Sequence, residues 1–321
     1  MKILVTGASG FIGSSLVPKL IELNHDVFCL ERLVTGRFSD DRRKAKTVFG
    51  DLREYFAIRQ IIHEIQPEVV IHLASISPVS YSYDHPMEVT EANFNGTINL
   101  AEACLREAHS FKHFLFAGTS EEYGNQTEFP IKETAELRPN SPYSVSKVAA
   151  DKYLWYMKEA YDFPCTILRN FNTYGRRDNA NYIVERITVQ MLQGKTIRLG
   201  DPTPTRDLQY VDDSVSAYLA CLNNRRSKGE VINFCTGVGV TIAQLVKKLV
   251  ELSGFEGEII WNTIPKRPLD IAVVIGDNTK ARHLLDWQPT VPLEQGLKLT
   301  LDYWRAALSR SSPSLTQRFR P

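Results

Sequence analysis

No run of about 18 apolar residues, the length a membrane-crossing helix needs, occurs in this chain. Its start shows no export-signal pattern either, since residues 3–5 already open a strand, and a cytoplasmic protein is expected. Basic excess is missing too: 38 Lys and Arg face 37 Asp and Glu, which removes the electrostatic case for nucleic acid as a main partner. Cysteine is sparse, odd in number and without a CxxC: Cys29, Cys104, Cys165, Cys221 and Cys235 read as buried, reduced thiols. His109 and His113 have helical i,i+4 spacing, but "HSFKHFLFAG" reads as a helix end followed by a strand start, so no metal site is expected. Internal repeats and low-complexity tracts are absent as well.

What remains is an alternation. Strand-like runs "KILVT", "DVFCL", "TVFG", "VVIHLA", "FLFAG" and "CTILRNFN" are separated by stretches of helical period such as "SSLVPKLIEL", "YFAIRQIIHEI" and "EVTEANFNGTINLAEACLREA". The strands are apolar throughout, as in a parallel sheet covered by helices on both faces. This predicts an α/β fold with a doubly wound parallel sheet. Pro18 inside the first helix predicts a local bend. From residue 176 the texture turns to Pro- and Arg-containing loops, "GRRDNANY", "LGDPTPTRD" and "NTIPKRPLD". The expected division is residues 1–175 as one unit and 176–321 mainly as a smaller C-terminal lobe, with a segment near 207–235 returning to the first. The tail after Trp304 is expected to fray. Helices near 88–107 and 144–160 carry apolar residues beyond one core stripe, among them Tyr153, Leu154 and Tyr156.

"MKILVTGASGFIG" runs a strand straight into Gly7, Gly10 and Gly13. Gly7 can make the tight turn, Gly10 lets the backbone approach a pyrophosphate, and Gly13 allows close helix–strand packing. The free N–H groups of the following helix then face the anion. Glu31 closes the next strand, where a carboxylate can accept both hydroxyls of a ribose. Together these predict dinucleotide binding. Glu31 would repel a 2′-phosphate while Arg32 and Arg37 would attract one, so NAD is expected, with NADP the alternative. "YSVSK" sets Tyr143 and Lys147 one helical turn apart on one face. An ammonium beside a phenol lowers the phenol's pKa from about 10 toward neutrality, making a base for a substrate hydroxyl.

The GxxGxxG spacing, with "GDLRE" at 50–54, "HLAS" at 72–75 and "NFNGT" at 93–97, resembles the extended short-chain dehydrogenase/reductases, the NAD-dependent epimerase/dehydratase family. That resemblance implies a Rossmann-type sheet with a smaller C-terminal substrate-binding lobe. Its cofactor site would use Phe11, Ile12, Arg32, Leu73 and Ser75 besides the residues above. Asp51 and Leu52 would bracket the adenine, Ala74 would line the nicotinamide side, and Asn93 would lie under the fourth strand. The matching helices pair in this family, so a homodimer is implied.

Thr119-Ser120-Glu121, followed by Tyr123-Gly124, is similar to the nucleotide-sugar 4,6-dehydratases, in the GDP-mannose dehydratase version. Oxidation at carbon 4 acidifies the carbon-5 proton, and Glu121 would remove it while water leaves from carbons 5 and 6 and a hydride returns. Ser120 is a poor acid, so the leaving-group proton would come through Glu121 or water. Glu122 has no family role; solvent exposure or a capping contact is expected. "RNFNTYG", "TRDLQYVDD" and "KRPLD" extend the resemblance, implying that Asn172 contacts the sugar diphosphate and that Arg206 and Arg267 clamp phosphate or ribose. Arg176 replaces the family's proline, giving an Arg176–Arg177 pair. The expected function is a nucleotide-diphospho-sugar 4,6-dehydratase without a metal. The alternatives are a nucleotide-sugar 4-epimerase, a UDP-glucuronate decarboxylase, which also carries Thr-Ser-Glu, and a dinucleotide-sensing regulator that does not turn over.

Overall fold

The computed structural model describes residues 1–32, 45–176, 182–265 and 267–310. Arg37, Arg177 and the last eleven residues of the tail lie outside them. In chain order the first strands are β1 (Lys2–Thr6), β2 (Asp26–Glu31), β3 (Lys46–Phe49), β4 (Val69–His72), β5 (His113–Thr119) and β6 (Cys165–Asn170). After them come β7 (Asn172–Tyr174), β8 (Thr196–Arg198), β9 (Thr205–Tyr210), β10 (Val231–Phe234), β11 (Gly239–Thr241), β12 (Glu258–Ile260) and β13 (Val273–Val274). The helices are α1 (Phe11–Glu22), α2 (Tyr55–Ile65), α3 (Val79–Asp84), α4 (Pro86–Thr90), α5 (Gly96–Glu107) and α6 (Pro142–Tyr161). Beyond them lie α7 (Ile183–Gln193), α8 (Val211–Asn223), α9 (Ile242–Ser253), α10 (Thr279–Leu285) and α11 (Leu293–Arg310).

The main sheet is parallel, in the order β3-β2-β1-β4-β5-β6-β10. Strand order reverses between β1 and β4, the switch point outside which open α/β sheets bind ligands. Each strand of the main sheet except β3, an edge strand that is largely exposed, feeds two cores because successive side chains alternate faces. Ile3 and Val5 pack with Leu16, Leu20, Tyr218 and Trp287 on the α1, α8 and α10 side. Leu4 between them packs with Ile58, Ile62, Leu100 and Met157 on the α2, α5 and α6 side. The fold is therefore a doubly wound, Rossmann-like α/β sheet. Leu154 belongs to this second core and is fully buried, so it is not part of an outward stripe; Trp155 beside it is 55% exposed. α1 runs through Pro18 without ending there.

The long helix expected near 88–107 is divided. Glu91–Asn95 forms a wide π-helical turn between α4 and α5, and Asn93 within it bonds to Ile76 in the loop after β4 and to Ser146 on α6. All five cysteines are buried and unbridged. No described helix is long and apolar enough to cross a membrane.

The smaller sheet joins β11, β9 and β13, with β7 also pairing β9, under a core of Tyr174, Ile187, Leu208, Leu245, Leu249 and Leu301. Two buried carboxylates of "TRDLQYVDD" tie distant chain to it. Asp207 accepts from the backbone N–H groups of Thr236, Gly237 and Gly276, and Asp213 from those of Thr290 and Val291.

At the foot of the sheet, buried His113 donates from Nε2 to Thr166 Oγ1 at 2.7 Å, and Thr166 donates onward to the Ser227 carbonyl at 2.7 Å. Burial, aided by the nearby Lys228 charge, lowers the His113 pKa from 6.5 to about 3. A base depressed in this way contributes stability that is fully present above pH 6.5 and is lost as pH falls toward 3. His113→Gln should lack that term. Its stability deficit relative to wild type, read by urea unfolding, should shrink by about 2 kcal/mol between pH 7 and pH 5. A constant deficit would contradict a neutral His113.

Candidate active site

β1 ends at Thr6 and the backbone turns at Gly7 with φ of +67°, a region that side chains rarely adopt. A Cβ on Gly7 would also lie 2.7 Å from the Ala74 amide nitrogen. Gly10 donates its N–H to the Gly7 carbonyl at 3.0 Å, closing the turn into α1. A Cβ on Gly13 would run into that same carbonyl, so α1 can lie this close to the turn only with glycine there. Glu31, buried at the end of β2, accepts from both the amide and the hydroxyl of Ser9 inside the glycine loop. Asp51 is gripped by Arg53 at 2.6 Å, and that hydrogen bond holds its carboxyl below the usual range.

The loop after β4 is fixed by a hydrogen-bonded chain. Ala74 N–H donates to Thr6 Oγ1, Thr6 Oγ1 lies 2.7 Å from His72 Nδ1, and His72 Nε2 lies 2.9 Å from Thr97 Oγ1, which donates to the Asn93 carbonyl. This order fits a neutral imidazole, and burial, with a smaller contribution from the Lys147 charge, lowers the His72 pKa to about 3. Asn93 holds Ile76 from both sides, accepting its N–H at 2.8 Å and donating to its carbonyl at 3.1 Å.

β5 ends in a single tight turn, Ser120–Glu122. Thr119 caps it by accepting from the Glu121 amide, while the Glu122 carboxylate reaches back to the Thr119 amide at 2.9 Å. The turn sends the two carboxylates apart. Glu121 lines the cleft, and burial raises its pKa against the lowering fields of Arg267 and Arg206. Glu122 has no exposed surface and pairs with Arg169, so the capping contact is present and the expected solvent exposure is wrong.

α6 begins with Ser141 as cap and Pro142 at the first position, a start signal written in the sequence. Tyr143 and Lys147 both line the cleft. The expected acidification of the phenol is not found. Burial drives the Tyr143 pKa upward, Tyr182 adds to that, and a hydrogen bond with Thr119 opposes it. The Lys147 ammonium instead sits 4.2 Å over the Phe116 ring, and burial lowers its pKa to about 8 against the raising field of Glu122.

One cleft of about 680 Å³ collects most of the candidates named from the sequence, with Asn93 outside its lining and Arg37 outside the described residues. Gly7, Gly10, Phe11, Ile12, Gly13, Glu31, Arg32, Asp51, Leu52, Leu73, Ala74 and Ser75 line it. So do Thr119, Ser120, Glu121, Tyr143 and Lys147, together with Asn172, Arg206 and Arg267. Arg176 is outside this lining and pairs with Asp212. Several lining residues were not singled out from the sequence. Ser9 holds Glu31, Tyr182 lies with its hydroxyl 2.6 Å from Ser77 Oγ, and Asp270 sits 3.7 Å from Arg206. Ser9 lies inside the glycine fingerprint, where a hydroxyl within reach of Glu31 was the available signal; Tyr182 stands in a loop without periodicity and had none.

A dinucleotide fits this cleft. The bare glycines leave room at the α1 N-terminus, Glu31 presents a carboxylate beside it, and Ser75 Oγ and Asn172 Oδ1 are buried without partners.

The sequence pattern of GDP-mannose 4,6-dehydratase matches residues 4–300. A UDP-glucose 4-epimerase of Mycolicibacterium smegmatis is 33% identical over 315 residues, covering 95% of this chain and 99% of that protein. The structure of UDP-glucose 4-epimerase with UDP-glucose from Thermotoga maritima matches with a TM-score of 0.90 at 36% identity, covering 96% of this chain and 100% of the other. That of the Thermus thermophilus UDP-glucose 4-epimerase with NAD matches with a TM-score of 0.87 at 30% identity, over 96% and 100% of the two chains. This chain therefore belongs to the NAD-dependent epimerase/dehydratase family of the extended short-chain dehydrogenase/reductases, with NAD as its cofactor.

Proposed function

We propose that the protein is a nucleotide-diphospho-sugar 4,6-dehydratase, producing a 4-keto-6-deoxy sugar nucleotide. The observation that carries this is Glu121, a desolvated carboxylate in the cleft with a raised pKa, beside Thr119, Tyr143 and Lys147. A carboxyl poised in this way can take a proton from carbon and return it to oxygen. Arg206 and Arg267 would hold the diphosphate and Asn172 would use its unpartnered Oδ1 on the sugar nucleotide. NAD, when bound, supplies the acceptor and later donor of a hydride. Tyr143, hydrogen-bonded to Thr119, would give up its phenolic proton to solvent and then, as the phenolate, take the proton of the carbon-4 hydroxyl. Glu121 would then take the carbon-5 proton, and the departing carbon-6 hydroxyl would be protonated from Glu121 or water. The cytoplasm, where nucleotide sugars form, is the proposed location.

A second reading, 4-epimerisation, is supported by the two epimerase structures and the epimerase relative above. There Tyr143 would suffice and Glu121 would be idle. Glu121→Gln separates the two. The amide keeps the shape of the carboxyl, so substrate should dock and the absorbance of reduced nicotinamide should rise to a plateau on mixing. Loss of water should fall about 10²–10⁴-fold. Tyr143→Phe should show no such rise. Normal turnover by Glu121→Gln would establish the epimerase reading instead.

Glu31 should set the cofactor preference, because its carboxylate stands where a 2′-phosphate would arrive. Cofactor released by denaturing the purified protein should be NAD. Glu31→Gln should reduce the ratio of NAD to NADP affinity on the order of tenfold by removing the like charge. An unchanged ratio would transfer the preference to Arg32.

A homodimer is proposed through α5 and α6. Val145, Trp155, Tyr156 and Tyr161 are exposed along α6, and Tyr153 bridges to Glu102 of α5 at 2.8 Å. Light scattering should give twice the chain mass, and Trp155→Glu should halve it. A monomer mass at all concentrations would exclude the pairing.

A further inference from the structure

Ser9 and Glu31 join the glycine turn to the end of β2. Strands β1 and β2 are neighbours with Thr6 opposite Leu30, so Glu31, one position further, stands beside the loop that follows β1. It lies there with 6% of its surface exposed. One residue takes both of its carboxylate oxygens: Oε1 accepts the Ser9 amide at 2.5 Å and Oε2 accepts the Ser9 hydroxyl at 2.8 Å. Both partners are fixed. The Glu31 carbonyl accepts from the Gly50 amide at 3.0 Å and Glu31 pairs with Phe49 of β3, which holds the end of β2. On the other side Gly7 turns at φ of +67° against the Ala74 backbone, and Gly10 closes the turn onto the Gly7 carbonyl, with Ser9 between them. Ser9, Glu31 and Arg32 all line the cleft. A carboxylate oxygen can accept two hydrogen bonds, so each oxygen of Glu31 keeps one acceptor site beyond its bond to Ser9.

We propose that Ser9 is a positioning residue for Glu31, and that the choice between NAD and NADP is made by this pair and not by Glu31 alone. Ser9 acts through the carboxylate: its amide and hydroxyl, two donors on a fixed turn, hold the charge in one place. A held carboxylate treats the two cofactors oppositely. Toward NAD it offers its remaining acceptor sites to the ribose hydroxyls without further ordering of a long side chain. Toward NADP it keeps a negative charge where the 2′-phosphate would arrive, and a carboxylate so held does not swing away from that like charge. Without the Ser9 hydroxyl only the amide bond remains, and the carboxylate can turn about it. The proposal rests on the placing of Glu31 at the ribose, which dehydration and 4-epimerisation share.

The test reads which cofactor the protein holds after equilibration with graded mixtures of NAD and NADP, removal of free cofactor and denaturation. Ser9→Ala keeps the amide bond and removes the hydroxyl, and it should lower the bound ratio of NAD to NADP about three- to tenfold. A turn that was merely loosened would weaken both cofactors together and leave the ratio where it was. Glu31→Ala should lower the ratio on the order of tenfold. Ser9→Ala added to Glu31→Ala should change it no further, because the carboxylate through which Ser9 acts is gone. A ratio unchanged in Ser9→Ala, or one that falls equally with and without Glu31, overturns the proposal. Should Ser9→Ala fail to fold, Ser9→Gly removes the same hydroxyl within a turn already rich in glycine and carries the same expectation; an unchanged ratio there overturns it equally. Glu31→Ala alone separates the two levels. If it lowers the ratio while Ser9→Ala does not, only the role of Ser9 falls. If it keeps the wild-type ratio, the placing of Glu31 at the ribose falls with it.

Discussion

Arg169, held between Glu122 and Asp151 and closed off from water, is the constraint on which the geometry of the site depends. Ion pairs in such a place gain little net stability, because desolvation offsets their attraction. Breaking one of them strands the other charge, at about 3–5 kcal/mol. That asymmetry fixes the end of β5, the middle of β6 and the first turns of α6 against each other. Glu121 rides on the first of these elements, and Tyr143 and Lys147 on the last. The proposed catalytic groups are therefore referenced to a common buried point, not to the loops around the cleft.

The same economy of geometry separates two adjacent carboxylates. A three-residue turn capped by Thr119 aims Glu121 into the cleft and Glu122 into the core, and their surroundings do the rest. Glu121 lines the cleft in the fields of Arg267 and Arg206, while Glu122 pairs with Arg169 in the core. Across the cleft, the chain from Ala74 through Thr6, His72 and Thr97 to Asn93 performs a similar service with neutral groups. It pins the loop that follows β4 without placing any charge beside the cofactor.

Much of the fold was readable because its signals are local. Continuous apolar strands announced a two-sided sheet, and Gly7 and Gly13 occupy positions where a side chain would strike backbone. The residues of the cleft were named because strand ends and helix starts carry them. Long-range contacts were not readable. Nothing near Glu122 in sequence reveals Arg169, 47 residues away, so its burial was missed. Nor does the sequence reveal Phe116, whose ring lies 4.2 Å from the Lys147 ammonium. Leu154 was misread because period alone does not say which side of a helix a neighbour covers. The wide turn at Glu91–Asn95 arises from what Asn93 must reach, which no periodicity records.

The central claim is that Glu121 removes the carbon-5 proton. Incubating the protein with NAD and UDP-, GDP-, dTDP- or CDP-hexoses in heavy water, then weighing the sugar nucleotide by mass spectrometry, tests it most directly. The account predicts, for one of these substrates, a product that has lost one water and gained one deuterium at carbon 5. A product of unchanged mass with only carbon 4 inverted would contradict it.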